Sequence, residues 1–435
     1  MENRAIKKTS LRFYRFIDKN VLWLFAAVVT IIAFVLRYFS AMHPTNDIVG
    51  YVLNGWMKDI EAQGFQNFYK VNADYSTFFL FIVGLFTFLP KGPQVNINGY
   101  VFYQNWMYYV KSVYFLMDLL SAIGIFLIIY HLTKNKVYGL IGYMVFLVLP
   151  VQFANSALWG NADSMYFCCF IYCLLFVLKR KDFWVFFFAG LAISLKLQAV
   201  FILPFLVYLI FSRRLKISRF YGYPLAILLS FIPSYCCGAS FTEPMQYFVS
   251  QVNGYSKLTL GCANIWYLFE LPNMNNPDSP LNQASIYIAL ALIFVLTAII
   301  YLRKIKLTDE NIIYVATFLI SIVPFFLPHM HERYFYALDG LVLVYALTKR
   351  KRYYLIPLMQ VSSGIAYYHY LSGFKKYFID ILGEDSVYIA VFINIAVLTI
   401  IFYDLMHLEH RTLKEDIAKM DQEINKIELT EKCDK

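Results

Sequence analysis

Pro324-Phe-Phe-Leu-Pro-His-Met-His-Glu-Arg-Tyr334 breaks the pattern of a very apolar chain more sharply than any other segment. Two histidines, a glutamate and an arginine arrive directly after an apolar run, about 310–327, that reads as a membrane-spanning helix. Ionisable side chains at membrane depth are costly unless they are paired or face a wet cavity, and they mark functional positions by default. A solvated turn is the plain alternative, but turns favour Gly, Asn, Asp and Ser. We read the stretch as one wall of a site, with Asp47 as the opposite wall.

Working outward, the composition agrees. Of 435 residues 60% are hydrophobic and only 15% charged, against about a quarter charged in soluble domains. Apolar runs of spanning length recur from residue 21 to about 403, which predicts an all-α, polytopic membrane protein. The net charge of +10 lies in short clusters between apolar runs. Anchoring against an anionic membrane leaflet explains that pattern, and nucleic acid is not an expected partner. The seven cysteines form no CxxC pair. Cys168, Cys169 and Cys173 read as small hydrophobes; a bridge from Cys236 or Cys237 to Cys262 is the alternative use of the others.

The basic clusters then order the chain. A basic arm (1–20) stays inside, and a retained signal anchor at about 21–39 delivers Arg37 to Asp47 to the outer surface. The run from Asp47 to Gln66 suits an interfacial helix. Residues 75–89 are too short to span, so they lie in or against the outer leaflet within one long first loop (40–107). Spans at about 108–131 and 137–155 follow, and a fourth returns to Lys179-Arg180-Lys181. Two short helices meet near Lys196-Leu-Gln198, and a seventh span opens a second outer loop (239–283). The last two run at about 353–372 and 386–404. This gives about twelve spans in a transmembrane domain (21–404), with every strongly basic cluster inside. The cytoplasmic tail (405–435) carries Leu413, Ile417, Met420, Ile424 and Ile427 at heptad-like spacing, predicting an amphipathic helix.

Topology gathers Asp47, Asp74, Asn161, Asp163, Lys196, Gln198 and His329 to Arg333 on the outer face. Asp163 also suits a helix cap, and Asp74 a plain loop carboxylate. Lys196, inside an apolar hairpin, needs an anion or a wet cavity, and Asp118 needs a partner, structural or mechanistic. His329 and His331 lack further ligands at metal-binding spacing, so no metal is expected. An outer-face carboxylate among cations fits transfer of a sugar from a lipid phosphate to a hydroxyl. The carboxylate takes the acceptor's proton, cations stabilise the departing phosphate, and no paired acid is required.

Asn155-Ser-Ala-Leu-Trp-Gly-Asn-Ala-Asp-Ser164, Ser194-Leu-Lys-Leu-Gln-Ala199 and Phe326-Leu-Pro-His-Met-His-Glu-Arg-Tyr334 resemble the GT-C superfamily of polytopic glycosyltransferases. More closely they resemble bacterial mannosyltransferases related to the GPI second-mannose enzyme, over about residues 20–350. Family members usually have Trp-Gly-Gln where this chain has Asn161, and often Pro-Pro where it has Ala73-Asp74. The resemblance implies Asp47 as catalytic base. Arg333 with Lys196, and His331, His329 and Gln198 nearby, would hold a polyprenyl-phosphate sugar. Trp159, Asn161, Asp163, Glu332, Tyr334 and Asp74 would contact substrate. No cofactor is implied. The expected partners are the lipid-linked sugar, a glycan or glycolipid acceptor and membrane lipids, in a cell membrane with both termini cytoplasmic. Two alternatives belong to other classes. A flippase or transporter of lipid-linked glycans predicts internal repeats, which the sequence lacks. A glycan polymerase predicts arginines in its large outer loop, and 239–283 has none.

Overall fold

The computed structural model describes residues 2–248, 257–269, 279–348, 352–371 and 385–410, with side chains from Asn20 onward. Those residues are nearly all helical. Five helices are long and apolar enough to cross a membrane: Asn20–Ser40, Gln104–Thr133, Pro280–Leu302, Asp309–Phe326 and Ser386–Met406. A sixth is counted if Lys136–Val148 and Pro150–Trp159, bent by 49° between them, are one span. Shorter apolar helices at Asp163–Leu178, Asp182–Leu195 and Tyr336–Thr348 pack among them. Polar side chains begin several of these elements: Asn135, Ser279 and Thr308 each accept from a backbone N–H of the first turn.

Burial sorts the helices. Every residue from Tyr336 to Leu347 is buried, whereas Pro280–Leu302 leaves Tyr287, Phe294 and Leu302 more than 70% exposed. The first helix likewise exposes Phe25, Ile31 and Phe39. Apolar surface of this extent is stable against lipid, not water. The chain is a helical membrane protein.

Several expectations are corrected in detail. The fold is not purely α: Gln94–Ile97 and Tyr100–Tyr103 pair antiparallel around an Asn98-Gly99 turn, both turn residues having positive φ. The first helix runs Glu2–Ser40, continuing the basic arm without a break. Arg37, expected at the outer surface, is 1% exposed inside the bundle. It pairs with Asp118 at 3.1 Å and donates to the carbonyls of Leu147 and Ala33, while Tyr336 donates to the other Asp118 oxygen. Asp118 therefore has a structural partner. The interfacial segment is a π-helix, Asn46–Met57, followed by short turns of α- and 3₁₀-helix. Residues 77–85 form a helix whose Phe79, Leu80 and Val83 are buried against the rest of the protein. Cys236, Cys237 and Cys262 are free. The heptad-like positions from Leu413 to Ile427 lie outside the described residues.

Candidate active site

Five chain segments build the cluster of polar groups at one cavity of about 300 Å³, which Asp74, Tyr75 and Tyr114 also line. The first carries Asp47 in the opening turn of the π-helix. Thr45 caps that turn, its Oγ1 accepting from Ile48 N and donating to the carbonyl of Trp159. The second follows the Pro150 bend. Pro lacks the N–H that would continue the ladder, and the chain re-enters as a short π-helix, Ala154–Trp159, which Gly160 ends at φ +74°. These first two segments are thus wound as π-helix, a geometry that recurs at functional positions.

The third segment is the break near Lys196. Helix Asp182–Leu195 ends there, Lys196 is extended, and a 3₁₀ turn leads into Leu203–Phe211. The expected meeting of two short helices is present. The fourth is the His-Glu-Arg stretch. It is held by the second long loop: Leu260 N donates to Met330 O, His329 N to Leu258 O, and His329 Nδ1 lies 2.6 Å from Lys257 O. The fifth is the end of helix Leu355–Tyr370, carrying Tyr367 and Tyr370.

Asp47 is gripped through both oxygens. Trp159 Nε1 donates to Oδ2 at 2.9 Å, Asn161 Nδ2 approaches the same oxygen at 3.4 Å, and Tyr370 OH donates to Oδ1 at 2.5 Å. Arg333 stands 3.6 Å from Asp47 and 3.8 Å from Asp163. Asp163 is fully buried and accepts from Lys196 Nζ at 2.6 Å and Asn155 Nδ2 at 2.9 Å. Lys196 also donates to Asn161 Oδ1 at 2.6 Å, and Tyr75 OH to the same oxygen. Two carboxylates and two cations therefore balance in one cluster, which lets it stay buried.

Electrostatics follow from these contacts. Burial works to raise the Asp47 carboxyl, but Arg333 and the donors Tyr370 and Trp159 outweigh it and hold the group below the usual carboxylate range. Burial and the neighbouring Arg333 push His331 below its ordinary value despite Glu332, 3.3 Å away. Burial pulls Lys196 down to about 8, against the attraction of Asp163.

The expected site residues separate by position. Asp47, Asp74, Asn161, His331 and Arg333 line the cavity. Trp159, Asp163 and Lys196 stand directly behind it, so Lys196 reaches the cavity through Asp163 and Asn161. Gln198, His329 and Tyr334 line a second groove of about 190 Å³, where Gln198 donates to the Tyr334 hydroxyl. Glu332 is buried beside His331. Among the described residues, no group of three or more His, Cys, Asp or Glu could hold a metal ion.

Sequence reasoning missed Tyr370, Tyr367, Tyr75 and Lys111. Nothing marks three tyrosines among 36. Lys111 did carry a signal, since it is a cation inside an apolar helix like Lys196. It donates to the carbonyls of His43 and Ala157 at 2.8 and 2.7 Å, and to Leu158 at 3.3 Å. It thereby ties the segment before Asp47 to the segment before Trp159. In comparison with known proteins, no family model matches the chain and no curated protein matches it.

Proposed function

We propose that this protein is an inverting, GT-C-type membrane glycosyltransferase, moving a hexose from a polyprenyl phosphate to a glycan or glycolipid on the outer face. In this reading the chain crosses the membrane about twelve times, shorter apolar helices included, with both termini cytoplasmic. The observation that carries it is the pairing of a fixed base with an ion-paired guanidinium whose buried Nε has no hydrogen-bond partner among the described residues. Asp47 is oriented by three neutral donors. Arg333, buried to 7% exposure, lies in ion-pair range of two carboxylates but makes no side-chain hydrogen bond among the described residues. Its planar fork matches the oxygens of a phosphate.

The chemistry is one displacement. Asp47 takes the acceptor's hydroxyl proton while that oxygen attacks the anomeric carbon. The bond from that carbon to the phosphate oxygen breaks, and its electron pair leaves with the polyprenyl phosphate, stabilised by Arg333. Attack opposite the leaving group inverts the centre. Asp163 and Lys196 keep Arg333 and Asn161 in place. The test is to incubate purified protein with a panel of polyprenyl-phosphate sugars and a glycan acceptor, and to follow release of polyprenyl phosphate. Release with none of the panel contradicts the reading.

A further inference from the structure

The residues that line the cavity from the first outer segment are Asn46, Asp47, Tyr51, Val52 and Trp56. Their spacing is not that of an α-helix. At about 100° per residue, the nine steps from Asp47 to Trp56 would turn roughly 900° and leave the two on opposite faces. With i→i+5 bonding, about 4.4 residues per turn, the same nine steps make about two full turns. The π winding of Asn46–Met57 therefore sets Asp47 on the same face as Tyr51, Val52 and Trp56.

That face continues as a panel of rings. Tyr51 and Trp56 have centroids 6.4 Å apart, and Trp56 and Tyr75 5.3 Å apart. Tyr51 is half exposed, so its ring is open to a ligand. Beside Tyr75, the exposed carboxylate of Asp74 lines the cavity and has no hydrogen-bond donor among the described residues. The lining carboxylates, Asp47 and Asp74, outnumber the one guanidinium, and burial disfavours a charged His331. The volume lies at the small end of small-molecule sites, which suits a terminal sugar ring and not a long glycan chain. Aromatic faces, acceptor oxygens and a surplus of negative charge together suit an uncharged, polyhydroxylated ring and disfavour an anionic one.

We propose that the Tyr51–Trp56–Tyr75 panel with Asp74 is the subsite for the acceptor's terminal sugar, a single neutral pyranose with one hydroxyl directed at Asp47. This rests on the reading of Asp47 as the base. The acceptor belongs here and not the donor's phosphate, because the base shares one helix face with Tyr51 and Trp56, whereas Arg333 enters from the His-Glu-Arg stretch. Asp74 then accepts from a second hydroxyl and reads the ring's orientation.

The test needs no donor. Saturation-transfer NMR on the purified protein, with methyl hexopyranosides and methyl glucuronide as probes, reads ring contact directly. Neutral glycosides should show transfer, with the uronide weaker on the order of tenfold or more because it brings a carboxylate against Asp74. Tyr51→Ala should weaken neutral-sugar binding about tenfold, and Asp74→Asn should narrow the gap between neutral and anionic probes. Both positions are exposed, so folded variants are expected, checked by melting temperature. Absence of transfer from any neutral glycoside, or equal binding by both variants and wild type, overturns the subsite. If polyprenyl phosphate is released but these variants bind normally, the subsite falls and the reaction stands. If the panel binds neutral sugars and no lipid-linked sugar is consumed, the subsite stands and the reaction falls.

Discussion

Trp159 lies flat against Tyr370, ring centroids 3.9 Å apart and planes 5° from parallel, and the two deliver their donors to opposite oxygens of Asp47. Two residues that lie 112 and 323 positions from Asp47 in sequence thus fix one carboxylate. Stacking restrains both rings, and the hydrogen bonds favour the charged form of Asp47. Neither ring alone would set the plane of the carboxylate.

Removing one donor tests that arrangement. Tyr370→Phe keeps the stack and loses the O–H. Asp47 has a depressed folded-state pKa, so it adds stability above its unfolded value of about 3.9 and loses it as pH falls through the folded value. Without Tyr370's hydrogen bond the folded pKa should rise, and the acid limb of the pH–rate profile should move up with it. Stability at pH 7 should fall by about 1.5–3 kcal/mol, the usual worth of a hydrogen bond to a charged group. An acid limb unmoved in the Phe variant means that the phenol does not govern Asp47.

Arg333 is assigned the departing phosphate. Arg333→Ala should lower turnover about 100- to 1000-fold, the typical loss of one donor to developing negative charge. Arg333→Lys should restore only part, because an ammonium lacks the bidentate fork. Wild-type turnover in a well-expressed alanine variant would remove Arg333 from the reaction.

How much of this was legible in the sequence follows from the physics of each residue. Asp47, Lys196 and Arg333 stood out because a charge near an apolar run has to be explained by a partner or a cavity. The break at Lys196 followed from having too few residues for two full spans. The π winding of 46–57 was not legible. It depends on which tertiary contacts reward an i→i+5 ladder, and Ile48, Val52 and Trp56 also suit an ordinary amphipathic helix. Arg37 was misplaced because its partner, Asp118, sits 81 residues away. The hairpin at 94–103 carried an Asn-Gly turn signal, hidden in a stretch read as loop.

Gly160 tests the tie between segments. Its φ of +74° lies in the left-handed region, and a Cβ there would stand 2.7 Å from Lys111 Cε and 3.1 Å from Ile48 Cβ. Lys111 cannot swing away without releasing the carbonyls it holds. Gly160→Ala should therefore destabilise by about 1–3 kcal/mol through backbone strain alone, and more if Lys111 is displaced. Thermal unfolding in a fixed detergent measures it; an unchanged melting temperature would show that the turn relaxes freely.

Lys196 and Asp163 form a pair with side chains 4% and 0% exposed. Breaking such a pair by removing one partner leaves a buried charge uncompensated and costs about 3–5 kcal/mol. Lys196→Met should lose that much, while the double change Lys196→Met with Asp163→Asn should recover part of it. A single variant as stable as wild type would mean that Arg333 and Asn155 alone satisfy Asp163.

The most direct measurement is glycosyl transfer by Asp47→Asn. Asparagine fits the same contacts: its carbonyl can accept from Trp159 and Asn161, and its amide can donate to a rotated Tyr370 hydroxyl. It has no basic oxygen. With fold and lipid-donor binding intact, transfer should fall about 100- to 10,000-fold, the contribution of a positioned general base. Near-normal transfer by the folded Asn variant would contradict the account, making Asp47 a structural carboxylate and placing the base elsewhere.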